Sequence, residues 1–249
     1  MESTPNTTID EIADRIYRIA TFVPEIGPTG FTFNQFLIDA DEPAIFHTGP
    51  RGMFPLVTAA IETVRPVADL RWITFGHLEA DECGAMNNLL AAAPQATVAH
   101  GAMGCMVSLN DLCDRAPRPL ADGEVLDIGG RRLRHIDTPH VPHGWDARVL
   151  YEEVTGTLFC GDLFSHLGAG PAVVSSDVVE PADQAEAMFM STSLTPSTAP
   201  TIRKLADLEP QTLAIMHGSS FSGDCGSALR ELSDRYASRF AVAGAEAGP

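Results

Sequence analysis

The segment FGHLEADECG places His77, Glu79 and Asp81 at alternate positions. In extended backbone, alternate side chains point the same way, so one imidazole and two carboxylates would converge on one point. Three ligand types so close together, beside the turn residue Gly76, make a metal-site pattern. The bland alternative is an acidic surface loop. Three further segments offer the same kind of residue. TPHVPHGWDA carries His140 and His143, TGTLFCGDLFS ends an apolar run with Gly161 and Asp162, and LAIMHGSSF ends another with His217 and Gly218. Each reads as a hydrophobic strand delivering a ligand-type residue beside a turn. One such histidine is ordinary; four such places in one chain are hard to explain separately.

The elements that would position them can be read from the same sequence. Runs 16–22, 33–39 and 44–47 look like strands broken by turn residues. Residues 55–64 read as a helix with proline at its start, and 70–75 as an apolar strand running into the loop at Gly76. A helix is expected over 81–90, a strand over 96–99 and a short helix over 104–113. Alternating runs around Gly129 and Gly130 predict a hairpin over 124–137, and a second hairpin is expected over 147–160. Helices over 181–190, 196–208 and 226–240, with a strand over 211–216, complete the reading. The tail 241–249 is expected to fray. Blocks of strands, each followed by helices, suggest a layered αββα sandwich. No composition break divides it, so a single domain over 1–249 is expected, with its core at about residues 10–240.

Composition narrows the function classes. The chain has 249 residues, 45% hydrophobic and 20% charged, which excludes wholesale disorder. A formal charge of −17 argues against nucleic acid and anionic membrane surfaces as partners. Lys204 is the only lysine, which leaves a catalytic Schiff base almost nowhere to form. Five cysteines, none in a C-x-x-C pair, give neither a zinc ribbon nor a disulfide framework. The polar, acidic start does not read as a signal peptide, and no apolar run approaches ~18 residues, so a cytoplasmic location is expected. Met103, Met106, Met188, Met190 and Met216 are expected to fill the core, and Cys83 to be a small buried residue. His166 is a candidate for the site entrance. His47 and His100 read as loop histidines, and Asp146 as a partner for an imidazole or a helix start.

The order H-x-E-x-D, then His, then Gly-Asp, then His-Gly resembles the metallo-β-lactamase superfamily, over roughly residues 16–240. The resemblance implies an αββα sandwich with a two-metal site at one edge of the paired sheets. Hydrolases of that superfamily usually carry H-x-H-x-D-H. This chain has His77-Leu78-Glu79-Ala80-Asp81-Glu82 instead, and glutamate in the third motif position resembles the flavodiiron proteins and the oxygen-binding di-iron proteins related to them. Carried over residue by residue, His77, Glu79, His143 and Asp162 would hold one metal. Asp81, Asp162 and His217 would hold the other, with the Asp162 carboxylate bridging. His143 is preferred because it precedes Asp162 by the family's usual gap. His140, directly after Pro139, is the competitor and is expected in the shell behind the ligands. Flavodiiron proteins commonly carry histidine after the motif aspartate. Here Glu82 either ligates the second metal through oxygen or leaves it an open or water-filled position.

Three imidazoles and three carboxylates make an oxygen-rich, anionic shell that suits iron, with manganese and zinc as competitors. The resemblance implies a non-haem di-iron protein that binds or reduces O2 or NO. Flavodiiron proteins draw electrons from FMN on a following flavodoxin domain. No Gly-rich phosphate loop follows the last helix here, so no built-in flavin is expected and electrons would come from an external donor. Such relatives pair head to tail, which makes a homodimer an option. One alternative is a two-zinc hydrolase, in which a bridging hydroxide attacks an ester, lactone or thioester. There Asp81 would orient the hydroxide and Asp162 would join the metals, but only Arg148 and Arg203 suggest an anion clamp. The other alternative is a non-catalytic oxygen or redox sensor.

Overall fold

The computed structural model describes residues 6–246. The first sheet opens with the antiparallel strands β1 (Asn6–Ala13), β2 (Ile16–Val23), β3 (Phe31–Ile38) and β4 (Ala44–Phe46). It continues with the parallel strands β5 (Trp72–Thr74), β6 (Thr97–Gly101) and β7 (Arg118–Leu120), in the spatial order β1 to β7. Helix α1 (Phe54–Ile61) links β4 to β5, and α2 (Ala80–Cys83) and α3 (Met86–Ala92) link β5 to β6. Between β6 and β7 the chain is helical through α4 (Ala102–Gly104), a π turn (Cys105–Leu109) and α5 (Asn110–Leu112).

The second sheet contains β8 (Val125–Asp127), β9 (Arg132–Asp137), β10 (Arg148–Glu152), β11 (Thr157–Phe159), β12 (Val173–Val174), β13 (Thr212–Ala214) and β14 (Ser220–Ser222). Their order is β12-β14-β13-β11-β10-β9-β8. Helices α6 (Val179–Phe189), α7 (Thr198–Ala206) and α8 (Cys225–Glu246) belong to this half.

Strand periodicity explains the four layers. Along β3, Phe36 and Ile38 point into the space between the sheets while Leu37 points outward. β4 repeats this, with Ala44 and Phe46 inward and Ile45 outward. The inner core joins Ile16, Phe36 and Phe46 of the first sheet to Leu133, Leu150 and Phe159 of the second. The outer face of the first sheet packs on Val57, Ile61, Leu89 and Leu90 of α1 and α3. The outer face of the second packs on Val179, Ile202, Leu205, Leu229 and Leu232 of α6, α7 and α8. The molecule is an αββα sandwich.

Several expectations require correction. β1 was not anticipated, because NTTIDEIA is mostly polar. It forms as an edge strand by pairing with β2, from Asn6 opposite Phe22 to Ala13 opposite Ile16. The tail expected to fray is helical through Glu246, consistent with the strong helix propensity of its alanines. Residues 247–249 lie outside the described residues. Met103, Met106, Met188 and Met190 are exposed rather than core residues, and only Met216 of the five is buried. Among the described residues no helix is long and apolar enough to cross a membrane.

Candidate metal centre

Each candidate ligand follows the C-terminal end of a strand. β5 leads to His77, β9 to the turn bearing His143, β11 to Asp162 and β13 to His217. Main-chain bonds hold these loops together. The Arg148 N–H donates to Gly76 O at 2.9 Å, and the Met216 N–H donates to Gly161 O at 3.2 Å. Gly161 (φ +54°) and Gly218 (φ +104°) take left-handed backbone at the turns beside Asp162 and His217. At Gly218 a Cβ would also sit 2.2 Å from the His166 ring, so no larger residue fits.

The six side chains converge. His77 Nε2 lies 2.8 Å from Glu79 Oε2 and 3.9 Å from Asp162 Oδ2. His143 Nε2 lies 3.1 Å from Glu79 Oε2 and 3.3 Å from Asp162 Oδ2. His217 Nε2 lies 3.3 Å from both Asp81 Oδ2 and Asp162 Oδ1. Thus one oxygen of Asp162 faces His77 and His143 while the other faces His217. One donor atom from each of His77, Glu79, His143 and Asp162 lies within 4.8 Å of the others, a group able to hold a metal ion. Among the described residues Asp81 Oδ1 accepts no hydrogen bond, and Asp162 Oδ1 accepts none although His217 Nε2 stands 3.3 Å away; both oxygens are buried. Buried carboxylate oxygens left unpaired are costly, and a cation between them would remove that cost. The donor set therefore fits metal ions.

The local backbone differs from the simple extended picture. Glu79 is extended (φ −134°, ψ 155°), but Asp81 and Glu82 lie in the first turn of α2. The helical turn carries Asp81 away from Glu79 and toward His217. The same turn sends Glu82 behind His77: Glu82 Oε2 accepts the His77 N–H at 2.5 Å, and Oε1 lies 3.1 Å from His77 Nδ1. Glu82 therefore does not face the cluster as a ligand would. His140 also departs from expectation, because its side chain is exposed and makes no hydrogen bond to a cluster residue among the described residues. His143→Ala should accordingly lower metal content sharply and His140→Ala should leave it unchanged, as read by elemental analysis. A metal-free His140 variant would contradict that assignment.

Electrostatics follow from the crowding of acids and imidazoles. Burial works against a charged His77, but the carboxylates of Glu82 and Glu79 outweigh it and carry its pKa up to about 11. His217 rises against burial to about 10 through Asp162 and Asp81. Burial would raise Asp162, yet His217, His77 and His143 bring it down to about 2. Hydrogen bonds from His143 and His77 hold Glu79 far below the usual carboxylate range. The imidazoles and carboxylates thus shift one another in opposite directions, and a bound cation would oppose the carboxylates in the imidazoles' place.

Several supporting residues were not evident from sequence. The His217 Nδ1–H donates to Thr32 O at 2.8 Å, which turns Nε2 toward the cluster. Phe31 stacks on the His217 ring at 4.2 Å and Phe33 meets its edge at 5.3 Å. Asn34 donates to Ile215 O and Gly218 O, and Arg18 also donates to Gly218 O. Asp146, by contrast, was expected from sequence as a partner for an imidazole or a helix start: it accepts from Leu78 N at 3.0 Å and lies 3.2 Å from His100 Nε2, tying the His143 turn to the His77 loop. His166 does not lean into the entrance; it accepts from Ser219 N and braces the turn after His217. The signal that could have found Asn34 is a polar residue inside the apolar strand FTFNQFLI.

Five of the six side chains, Glu79, Asp81, His143, Asp162 and His217, form the floor of a cavity of about 420 Å³. Ile26, Phe31, Phe33 and Phe189 supply its apolar wall, with Ser165 and Ser191 beside them. Among the described residues no lysine or arginine lines it.

Comparison with known proteins agrees with this architecture. The metal-soaked flavodiiron core Flv1 from Synechocystis sp. has a TM-score of 0.78 at 22% identity, covering 96% of this chain and 62% of that one. Rubredoxin-oxygen oxidoreductase of Megalodesulfovibrio gigas is 22% identical over 206 residues, 80% of this chain and 51% of that protein. The anaerobic nitric oxide reductase flavorubredoxin of Salmonella arizonae is 25% identical over 139 residues, 54% of this chain and 29% of that protein. The chain spans between about a quarter and a half of the length of the curated relatives it matches. The family model described as ODP family beta lactamase matches residues 31–218, about three quarters of the sequence. The chain belongs to that family.

Proposed function

We propose that this chain is a non-haem di-iron protein that binds or reduces O2 or NO, with electrons supplied by an external donor. The observation that carries the reading is the cavity above the cluster. Its wall is aromatic and aliphatic, its floor is anionic, and among the described residues no arginine or lysine lines it to clamp an anionic substrate. A small neutral diatomic ligand needs no such clamp and partitions readily into apolar surroundings. The names of two relatives support the choice of ligand, one an oxygen oxidoreductase and the other a nitric oxide reductase.

In this reading His77, Glu79, His143 and Asp162 hold one metal, and Asp81, Asp162 and His217 hold the other. When bound, a pair of reduced irons supplies electrons to O2 or NO. The six side chains keep the two ions together, and three carboxylates favour iron over zinc by their hardness and charge. Thr32 fixes the ring orientation of His217. Phe31 and Phe33 cover that ring and keep water from it. We read the chain as a single domain over 1–249 with its core at about residues 10–240, working in a reducing cytoplasm where the five cysteines remain thiols.

The test is addition of O2 or NO to the iron-loaded, anaerobically reduced protein. Near-ultraviolet absorption should change in proportion to the iron pairs present. Continued consumption of an artificial reductant would mark turnover, and one equivalent of gas without further consumption would mark binding alone. An unchanged spectrum together with esterase or lactonase activity would contradict the proposal.

A further inference from the structure

Glu82 is the one carboxylate of the HLEADE segment that turns away from the cavity. Its side chain is completely buried. One oxygen takes the His77 N–H at 2.5 Å, and the other lies 3.1 Å from His77 Nδ1 and 3.4 Å from His47 Nε2. The chain leaves a slot for it: a Cβ on Gly76 would stand 2.9 Å and 3.0 Å from the two oxygens. Among the described residues no lysine or arginine pairs with Glu82; its only close charge partners are the two histidines. A carboxylate buried in this way is costly unless a cation opposes it.

The three imidazoles of the centre have three different backings. His217 Nδ1 donates to a neutral carbonyl, Thr32 O, and His143 Nδ1 has no hydrogen-bond partner. Only His77 has a carboxylate behind it. We propose that Glu82 is a positioning residue, holding His77 from behind through its main-chain N–H, standing as a charge partner 3.1 Å from its Nδ1 edge, and placing a negative charge behind the four-residue metal site. A carboxylate behind a ligating imidazole fixes the tautomer, orients the ring and makes the ligand more basic. The residue after Asp81 thereby acts through His77, and the site formed by Asp81, Asp162 and His217 keeps three protein ligands. The asymmetry follows: the His77 site binds its metal more tightly and stabilises its oxidised state more strongly than the other. This inference rests on the di-metal reading above.

The test uses the full chain loaded anaerobically with ferrous iron, as wild type, E82Q and E82D. Chelator competition gives the affinity of each site, and spectroelectrochemistry gives the reduction potentials. E82Q removes the charge and should weaken one of the two sites by about 10- to 100-fold, leave the other near wild type and raise the potential of the centre. E82D keeps the charge with a shorter reach, so its affinity should fall while its potential stays closer to wild type than that of E82Q. A residue needed only for packing would lower the melting temperature without moving the potential. E82Q with wild-type affinity and potential overturns the inference. Should E82Q fail to fold, E82D carries the test, and wild-type affinity in E82D overturns it. A wild-type chain that takes up no iron contradicts the di-metal reading itself, which separates the two failures.

Discussion

Asp162→Ala is expected to strip both metals, taking the protein from about two ions per chain to nearly none. Among the described residues Asp162 is the only side chain whose two oxygens face both halves of the cluster, Oδ2 toward His143 and Oδ1 toward His217, each at 3.3 Å. Its loss leaves His77, Glu79 and His143 on one side and Asp81 with His217 on the other. The first side falls from four protein ligands to three and the second from three to two, and both lose the shared carboxylate charge that opposes the cations. The fold should survive, because Asp162 sits beyond the end of β11 and its main chain keeps its place through Gly161 O and Met216 N. Elemental analysis of purified protein reads the metal content, and far-ultraviolet circular dichroism confirms folding. One ion per chain retained at wild-type affinity would show that Asp162 is not shared.

Phe159→Ala should be the most destabilising single change in the inner core, at about 3–5 kcal/mol. Phe159 is fully buried and comes from the second sheet, whereas the rings it meets come from the first. Its centroid lies 5.4 Å from Phe36 and 5.3 Å from Phe46. Truncation leaves a cavity where the sheets are pressed together, and β4 and β11 cannot close it without moving. Since a domain of this kind is stable by only about 5–15 kcal/mol, a loss of that size consumes much of the margin. Urea unfolding of the metal-free protein measures it directly. A loss below about 1 kcal/mol would show that the two sheets do not depend on this contact. The same variant should bind metal more weakly, because Asp162 follows Phe159 by three residues.

The sandwich was legible because its strands are short apolar runs with clear punctuation. LRWITF before Gly76, TGTLFC before Gly161 and LAIM before His217 announce both a strand and the turn that ends it. β1 was not, because an edge strand with polar residues carries almost no hydrophobic signal and forms by pairing with β2. The exposed Met103, Met106 and Met190 show the converse, since apolar residues on short helices and turns need not point inward. At the centre, residue types and order suggested the gathering of His77, Glu79, Asp81, His143, Asp162 and His217. Their distribution depended on something subtler. An extended segment would have put Glu79 and Asp81 side by side. One turn of α2 instead separates them and swings Glu82 behind His77. A helix of four residues leaves too short a pattern to read from periodicity. The supporting contacts from Thr32, Asn34 and Arg18 join residues nearly two hundred positions apart, so local sequence carries no sign of them.

The central claim is that these six side chains hold two irons between them. Anomalous diffraction at the iron and zinc edges, from crystals of protein purified from iron-supplied cells, tests it most directly. Two iron peaks are expected, one among His77, Glu79, His143 and Asp162 and one among Asp81, Asp162 and His217. No peak between these side chains, or zinc alone at both positions, would contradict it.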